Sequence, residues 1–414
     1  MGVSIILIAV PFFFGSILFE MLYGKLKGTN WYNFEDSITN LNLGIGSQAF
    51  NTLSKVLLLG LYGFIYTHFA LFKLPSNIYT FIGCVIAFDF LYYWAHRLGH
   101  EWNLFWGAHI VHHQSQEYNL SVALRQSWFH NMLAFVIFLP IPFLGFDPIL
   151  FGAAAGFVTL YQYWIHTQAI KSMGWFEWIF NSPAHHRVHH AINPQYLDKN
   201  YAAVFIIWDR MFGTFVKEEE TPEYGTTVPI KSWNPVWANI HFYVEMWEGM
   251  KLEKGLFRKF SLLFRGPDYL GELLQLKSSD YKNKEGKVDK YRPKPSLNMQ
   301  IYVFVQFLIL TLAIFSYILH FKELSMFYKL TFLSLIVLTT LNCGAIMENR
   351  KWSVHVEIVR LLVFLLVYNI LYYTQYSPWF GYVIPISLSV GFAFIVWVVI
   401  NYFYTRNKLA AGLQ

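Results

Sequence analysis

An all-α, polytopic membrane protein of roughly nine apolar helices is what this sequence predicts, and three observations lead to it. Of 414 residues, 55% are hydrophobic and only 14% charged, where a soluble globular chain carries about 25% charged residues. The mean hydropathy is positive, +0.36, and apolar runs near the ~20 residues needed to span a bilayer recur along the chain. Lysine and arginine gather in the connections between those runs, as the positive-inside tendency predicts. The net charge of +6 is therefore no sign of a nucleic-acid partner. Cys84 and Cys343 each lie inside an apolar run and read as small buried hydrophobes, with no disulfide framework or thiolate metal site.

The first span runs from Val3 to Tyr23 and stops before the basic KLKGTN. It lacks a basic leader and a small-residue cleavage site, so it reads as a retained span rather than a signal peptide. Residues 24–45 are polar, with Trp31 and Tyr32 placed as interface anchors. A second span falls within 48–72 and a third runs from Ile78 to Ala95. After the polar stretch 114–127 comes an apolar hairpin, Trp128–Ile165, broken at LPIPFLGFDP. Its arms of about 18 residues leave full crossing and a shallower re-entrant course both open. Either way the chain returns to the face it left.

Residues 170–298 are hydrophilic, with KEEETPEYG and KSSDYKNKEGKVDKYRPKP as loop or linker by composition. Apolar segments follow at 299–319, 326–346, 354–374 and 382–402, separated by HFKEL, ENRK and YSPWFG. The expected division is N-terminal membrane helices (1–76), a catalytic core (77–216), a hydrophilic cytoplasmic linker region (217–298) and a C-terminal four-helix membrane region (299–414). Placing the N-terminus outside puts KLKGTN, the hydrophilic region, ENRK and the RNK tail inside. That makes the chain a multi-pass protein of a bacterial inner membrane or endoplasmic reticulum.

The stretch His96–His113 holds five histidines in eighteen residues. His96 and His100 are four apart, and His109, His112 and His113 form H-x-x-H-H; the triad recurs as His186, His189 and His190. On a helix, positions i, i+3 and i+4 share a face, so each group can aim its imidazoles at a common point. Because the hairpin returns, both triads lie on one membrane face, the cytoplasmic one. A metal takes roughly four to six donors, so these eight histidines suit two ions. His166, in YQYWIHT at the end of the hairpin, is a ninth candidate ligand. His185 reads as a neighbour of the ligands or a solvent-facing residue, and His130 as a neighbour or a structural residue, whereas His68, His241, His320 and His355 are isolated. Asp89, seven residues before His96 in an apolar run, is a candidate to orient ligand imidazoles, and Glu101 a second one. Asp209 and Arg210 could pair with each other.

Two metals held almost wholly by neutral imidazole suit hydrolysis through a bound water, or oxygen chemistry. The zincin motif H-E-x-x-H begins at His100 and Glu101 but meets Leu104 where its second histidine belongs. Oxygen chemistry needs iron or copper, because zinc has no redox chemistry. At a bilayer border the natural target is a C–H bond of an acyl, alkyl or sterol chain.

The pattern H-x-x-x-H, H-x-x-H-H, H-x-x-H-H with spans around it resembles the fatty acid hydroxylase/sterol desaturase superfamily of membrane di-iron oxygenases. Within it, FDFLYYWAHRLGHEWNLFWGAHIVHHQSQEYNLSVALRQS, YQYWIHT, NSPAHHRVHH and NPQYLDKNYAAVFIIWDRMFGTF are similar to the alkylglycerol monooxygenase branch. The likeness covers roughly residues 30–216, with Ala202 standing where much of the superfamily has glycine. It implies two iron ions held by the eight motif histidines and O2-dependent hydroxylation beside the ether oxygen of an alkylglycerol. The products implied are an aldehyde and a glycerol derivative, with tetrahydrobiopterin as electron donor.

The chain carries no dinucleotide fingerprint, so electrons come from an external donor, a reduced pterin or a carrier protein. Trp94, Trp106, Tyr161 and Trp164 are candidates to line an apolar approach for a lipid substrate. One rival reading is a sterol, carotenoid or fatty acyl hydroxylase or desaturase with a protein donor. Another is a membrane metal transporter, opposed by triads lying in polar segments rather than at the bilayer midplane.

Overall fold

The computed structural model describes residues 5–284, 286–375 and 387–401. Among these, every regular element is a helix, and the extended pairings are three isolated bridges. The first residues of the expected opening span, the YSPWFG connection, the start of the segment expected at 382–402 and the RNK tail lie outside the described residues.

Two compact units result: Met1–Lys231 with Trp237–Tyr291, and Ser232–Val236 with Arg292–Gln414. The first contains α1 (Ile5–Leu26), α2 (Phe34–Phe69), α3 (Ile78–Glu101), α4 (Asn103–His113), α5 (His130–Ala134), α6 (Pro140–Phe143), α7 (Pro148–Trp164), α8 (Pro183–His189) and α9 (Ile207–Phe212). Most of α10 (Pro235–Leu252), with α11 (Leu256–Ser261) and α12 (Pro267–Leu273), completes it. The second unit contains α13 (Leu297–His320), α14 (Met326–Met347) and α15 (Ser353–Gln375), and an apolar helix covers Ser387–Asn401.

Local chemistry sets the helix starts. The Asn33 side chain accepts from the Asp36 amide, and Glu35 and Asp36 favour the positive end of α2. Asn77 and Thr80 form a reciprocal capping box on α3. Asp147 caps α7, with Pro148 at its first turn.

Among the described residues five helices are long and apolar enough to cross a membrane: α1 from Ala9, α2, α3, α13 and α14. The segment expected as a hairpin is broken into α5, a 3-10 turn at Phe135–Phe138, α6 and α7. Prolines 140 and 142 remove two amide donors there. At Gly145 (φ +92°) a Cβ would lie 2.1 Å from the Phe72 carbonyl oxygen, so only glycine makes this turn.

The main apolar core of the first unit joins α2, α3 and α7 through Tyr62, Val85, Phe88, Phe151 and Val158, with Phe138 stacked on Phe88. The region expected as a linker departs from that expectation. Its ends are loops, but Phe242 and Met246, one turn apart on α10, meet Leu262 and Leu270 and close over Ile110 of α4. Short apolar helices with one buried face are hard to tell from loops in a polar composition.

In the second unit, Glu357 and Arg360 on α15 form a buried pair at 2.5 Å. Tyr302 and Asn342 donate to Glu357, and Arg360 donates to Gln306 and Thr339. A charge among apolar helices requires such partners. Cys84 and Cys343 are free and buried.

Close packing of α2 gives a test. A Cβ on Gly46 would lie 2.2 Å from the Trp128 ring nitrogen, and that ring is buried and stacked on Phe50 at 5.1 Å. Gly60, on the same helix, has nothing within 4 Å. Gly46→Ala should cost about 1–3 kcal/mol by overpacking and lower the thermal midpoint in detergent. Gly60→Ala should not.

Candidate metal centre

Nine histidines come together from four places: His96 and His100 in the last turns of α3, the triad closing α4, His166 just past α7, and the triad closing α8. α8 has only seven residues, started by the Ser182 cap and Pro183. All nine are buried.

They form two groups, each with ligand nitrogens within 4.8 Å of one another: His96, His100, His109, His113 and His189, and then His112, His166, His186 and His190. Each triad is therefore divided between the groups, not aimed at one point as the spacing led us to expect. The i and i+4 members stay together, while the i+3 member, about 100° from its neighbour around the helix, joins the other group. The groups touch where the His113 and His190 rings stack at 4.4 Å.

Backbone carbonyls set the ring orientations. The Nδ1 of His96 donates to Tyr201 O (2.6 Å), His112 to Arg125 O (2.9 Å), His166 to Gln162 O (2.7 Å) and His189 to Lys199 O (3.0 Å). With Nδ1 committed as donor, each Nε2 carries a lone pair turned inward. The Nε2 atoms of His112 and His166 are 3.1 Å apart, so two lone pairs face each other. Burial makes protonation a poor remedy. It pushes His112 down to about 4 and His109, His113, His166, His186, His189 and His190 well below the ordinary imidazole value. Nε2 of His100 and of His189 is buried without a hydrogen-bond partner. Converging neutral donors with unsatisfied lone pairs are what a bound cation requires, so these residues fit metal ions, one per group.

The carboxylates expected to orient the ligands act elsewhere. Asp89 accepts from the amides of Val204 (2.8 Å) and Phe205 (3.1 Å) and from the Trp208 indole (2.9 Å), not from a histidine. Glu101 pairs with Arg97 at the surface, because it follows His100 by one residue and points off the histidine face. Asp209 does not pair with Arg210. It accepts from the amides of Tyr201 and Ala202, both at 2.8 Å, and from Thr214, while Arg210 lies over the Phe215 ring. Asp89 and Asp209 thus grip both ends of the segment 201–205, whose Tyr201 carbonyl receives His96.

Two residues with roles here went unassigned in the sequence. Asp198 lies 3.3 Å from His100 Nδ1. Arg125, fully buried, donates to Val111 O (2.6 Å), Asn40 (2.9 Å) and Gln114 (2.8 Å). An arginine twelve residues beyond a histidine triad, in the polar stretch ALRQS, was the only signal for it.

His130 stands 5.6 Å ring to ring from His109 but outside both groups. His185 is buried edge-on against Phe215, and His68, His241, His320 and His355 lie outside both groups. Of the four aromatic residues expected along a lipid approach, Trp106 borders the histidines, 4.9 Å from His100. Trp94 packs on Phe212, Trp164 on Phe176, and Tyr161 donates to Asn181 O.

The fatty acid hydroxylase family profile matches residues 81–214, which include all nine histidines, and the alkylglycerol monooxygenase C-terminal domain profile matches residues 299–386. The chain is 33% identical to alkylglycerol monooxygenase of Homo sapiens over 404 residues, covering 96% of this chain and 88% of that protein. It is 33% identical to the Danio rerio protein of the same name over 405 residues, 96% and 87% of the two chains. Ornithine lipid hydroxylase of Rhizobium tropici is 29% identical over 154 residues, 36% of this chain and 45% of that one. No solved structure matches the chain.

The buried neutral imidazoles carry a pH signature. An unfolded histidine titrates near 6.5, while folded His112 titrates at about 4. Between those values the unfolded chain binds protons that the folded chain cannot, so stability is intact above 6.5 and is lost as pH falls toward 4. Chelator-stripped protein in detergent should melt lower at about pH 5 than at about pH 7.5. Resupplied metal should raise the midpoint at the higher pH.

Proposed function

The chain belongs to the alkylglycerol monooxygenase family, and on that premise we propose that it is an O2-dependent membrane monooxygenase. Its reaction hydroxylates the carbon beside the ether oxygen of an alkylglycerol. The resulting hemiacetal collapses, breaking the C–O bond to release a long-chain aldehyde and the glycerol hydroxyl. One oxygen atom of O2 enters the aldehyde product and the other leaves as water, with two electrons and two protons drawn from an external donor. Reduced tetrahydrobiopterin is the donor the family implies.

The observation that carries this reading is the pair of buried, all-imidazole groups in a chain similar to these enzymes along nearly its whole length. His96, His100, His109, His113 and His189 would hold one iron, and His112, His166, His186 and His190 the other. When bound, the pair of irons supplies the reductive activation of O2 that an inert C–H bond demands. The protein residues supply position and exclusion. Carbonyls of Tyr201, Arg125, Gln162 and Lys199 hold the rings, Asp89 and Asp209 hold the carbonyl-bearing segment, and burial keeps bulk water from the nitrogens. Trp106, against His100, would border the lipid chain.

The division into membrane helices (1–76), catalytic core (77–216), hydrophilic region (217–298) and C-terminal membrane region (299–414) is part of the proposal. So is a count of roughly nine apolar segments, with the shorter ones embedded in the membrane. The site would face the cytoplasm, supported by Lys25 in the last turn of α1 and Lys27 just beyond it. Beside them, Trp31 O accepts from Asn119, in the loop between the α4 triad and Arg125.

The test is product analysis from membranes given 1-O-alkylglycerol, O2 and reduced tetrahydrobiopterin. Wild type should release aldehyde. His112→Ala should lose iron and at least about 100-fold of activity. No aldehyde from iron-loaded wild type would refute the substrate, and full activity in His112→Ala would refute the site.

A further inference from the structure

The region read as hydrophilic linker contains an apolar face turned outward. Leu256, Phe257, Phe260 and Phe264 are 87%, 83%, 62% and 43% exposed. Leu256, Phe257 and Phe260 fall within one arc of about 100° on α11 and Phe264 lies in the 3-10 turn that follows, while Leu262, between them in sequence, is fully buried against Ile110 of α4 and Leu270 of α12. A segment that buries one leucine and exposes four large apolar side chains on its other side is not stabilised in water by that arrangement. Lys254, Arg258 and Lys259 flank the exposed face, and among the described residues none is in an ion pair. The one carboxylate within the segment, Glu253, is buried and accepts from Tyr269.

We propose that Leu252–Arg265 is an in-plane membrane element. Its apolar face enters the boundary between headgroups and acyl chains of the bilayer that the protein spans, and Lys254, Arg258 and Lys259 meet lipid phosphates. Three observations favour a lipid surface as occupant. The segment is tied to the end of a spanning helix: α3 stops at Glu101, the Asn103 amide donates to Arg265 O (2.8 Å), and the Asn103 side chain donates to Leu262 O (2.9 Å). The Trp102 ring stands edge-on to Phe264 at 5.2 Å, joining the apolar face to the border of the span. The flanking charge is basic, which suits phosphate and sets two copies of this face against each other.

The element also rests on α4 through Leu262 and Ile110, so the bilayer would brace the helix that carries His109, His112 and His113. This inference depends on α3 spanning the membrane and not on the reaction proposed above.

The test uses the full chain in nanodiscs, with Phe257→Cys carrying an environment-sensitive fluorophore and Glu219→Cys, in an exposed loop, as the reference. Cys84 and Cys343 are buried and stay unlabelled. The label at position 257 should emit at shorter wavelength and be quenched by chain-brominated lipid several-fold more strongly than the label at 219. Adding phosphatidylserine should deepen that quenching, and Arg258→Gln with Lys259→Gln should abolish the phosphatidylserine effect. Equal quenching at both positions would overturn the proposal. So would a blue-shifted, unquenched label accompanied by the mass of a dimer, which would assign the face to a second copy of the chain.

Discussion

The rest of the site depends on a hydrogen bond that no residue's identity announces: an imidazole Nδ1–H given to a backbone carbonyl. Four histidines make it, to Tyr201, Arg125, Gln162 and Lys199. Each such bond spends the ring's one proton on the outside and leaves the inward nitrogen as a lone pair. Between His112 and His166 this forces two lone pairs to 3.1 Å. Two such lone pairs repel each other. Around a cation the contact becomes two bonds. The protein accepts an arrangement unfavourable to itself because a ligand reverses the sign of the interaction.

Holding the carbonyls in place takes buried charge, which costs several kcal/mol unless every polar atom is answered. Arg125 is answered by Val111 O, Asn40 and Gln114. Burial lowers its pKa to about 10, with the nearby Asp36 carboxylate pulling it upward, so it stays cationic at neutral pH. Its guanidinium ties the end of α4 to α2 while its own carbonyl receives His112. Asp89 and Asp209 do the equivalent for the 201–205 segment, taking the amide hydrogens of Tyr201, Ala202, Val204 and Phe205, which no helix there would pair. Charge, amide, carbonyl and imidazole form a chain in which each link satisfies the next.

That chain explains what could be read from sequence and what could not. The histidines were legible because their spacing is a helix period, and His166 because an ionisable side chain at the end of an apolar arm needs a reason. Asp89 was recognised as costly, but its partners were not, since a backbone amide has no letter. Asp209 was misread for a related cause: Arg210 beside it offered a visible partner, whereas the true ones were the amides of Tyr201 and Ala202. The apolar helices α1, α3, α13 and α14 followed from composition, whereas α2 begins at Phe34, inside the stretch 24–45 read as polar. The course of 128–165 depended on where Pro140, Pro142 and Gly145 break the chain. The outward apolar face of α11 was hidden in a stretch whose overall polarity suggested a linker.

Division of the triads shows why the motif is H-x-x-H-H and not a pair. On α4, His109 and His113 serve one group and His112 the other; on α8, His186 and His190 serve the second group and His189 the first. Adjacent residues on a helix point about 100° apart, and the paired rings lie 5.6 Å (His112–His113) and 5.3 Å (His189–His190) apart. Each helix therefore contributes to both groups through neighbouring side chains whose separation its own backbone dictates. The spacing between the two groups is then a property of two helix ends, not of flexible loops. Any shift of α4 or α8 must disturb both groups together, and each of the two helix ends carries one carbonyl-clamped ring, His112 on α4 and His189 on α8.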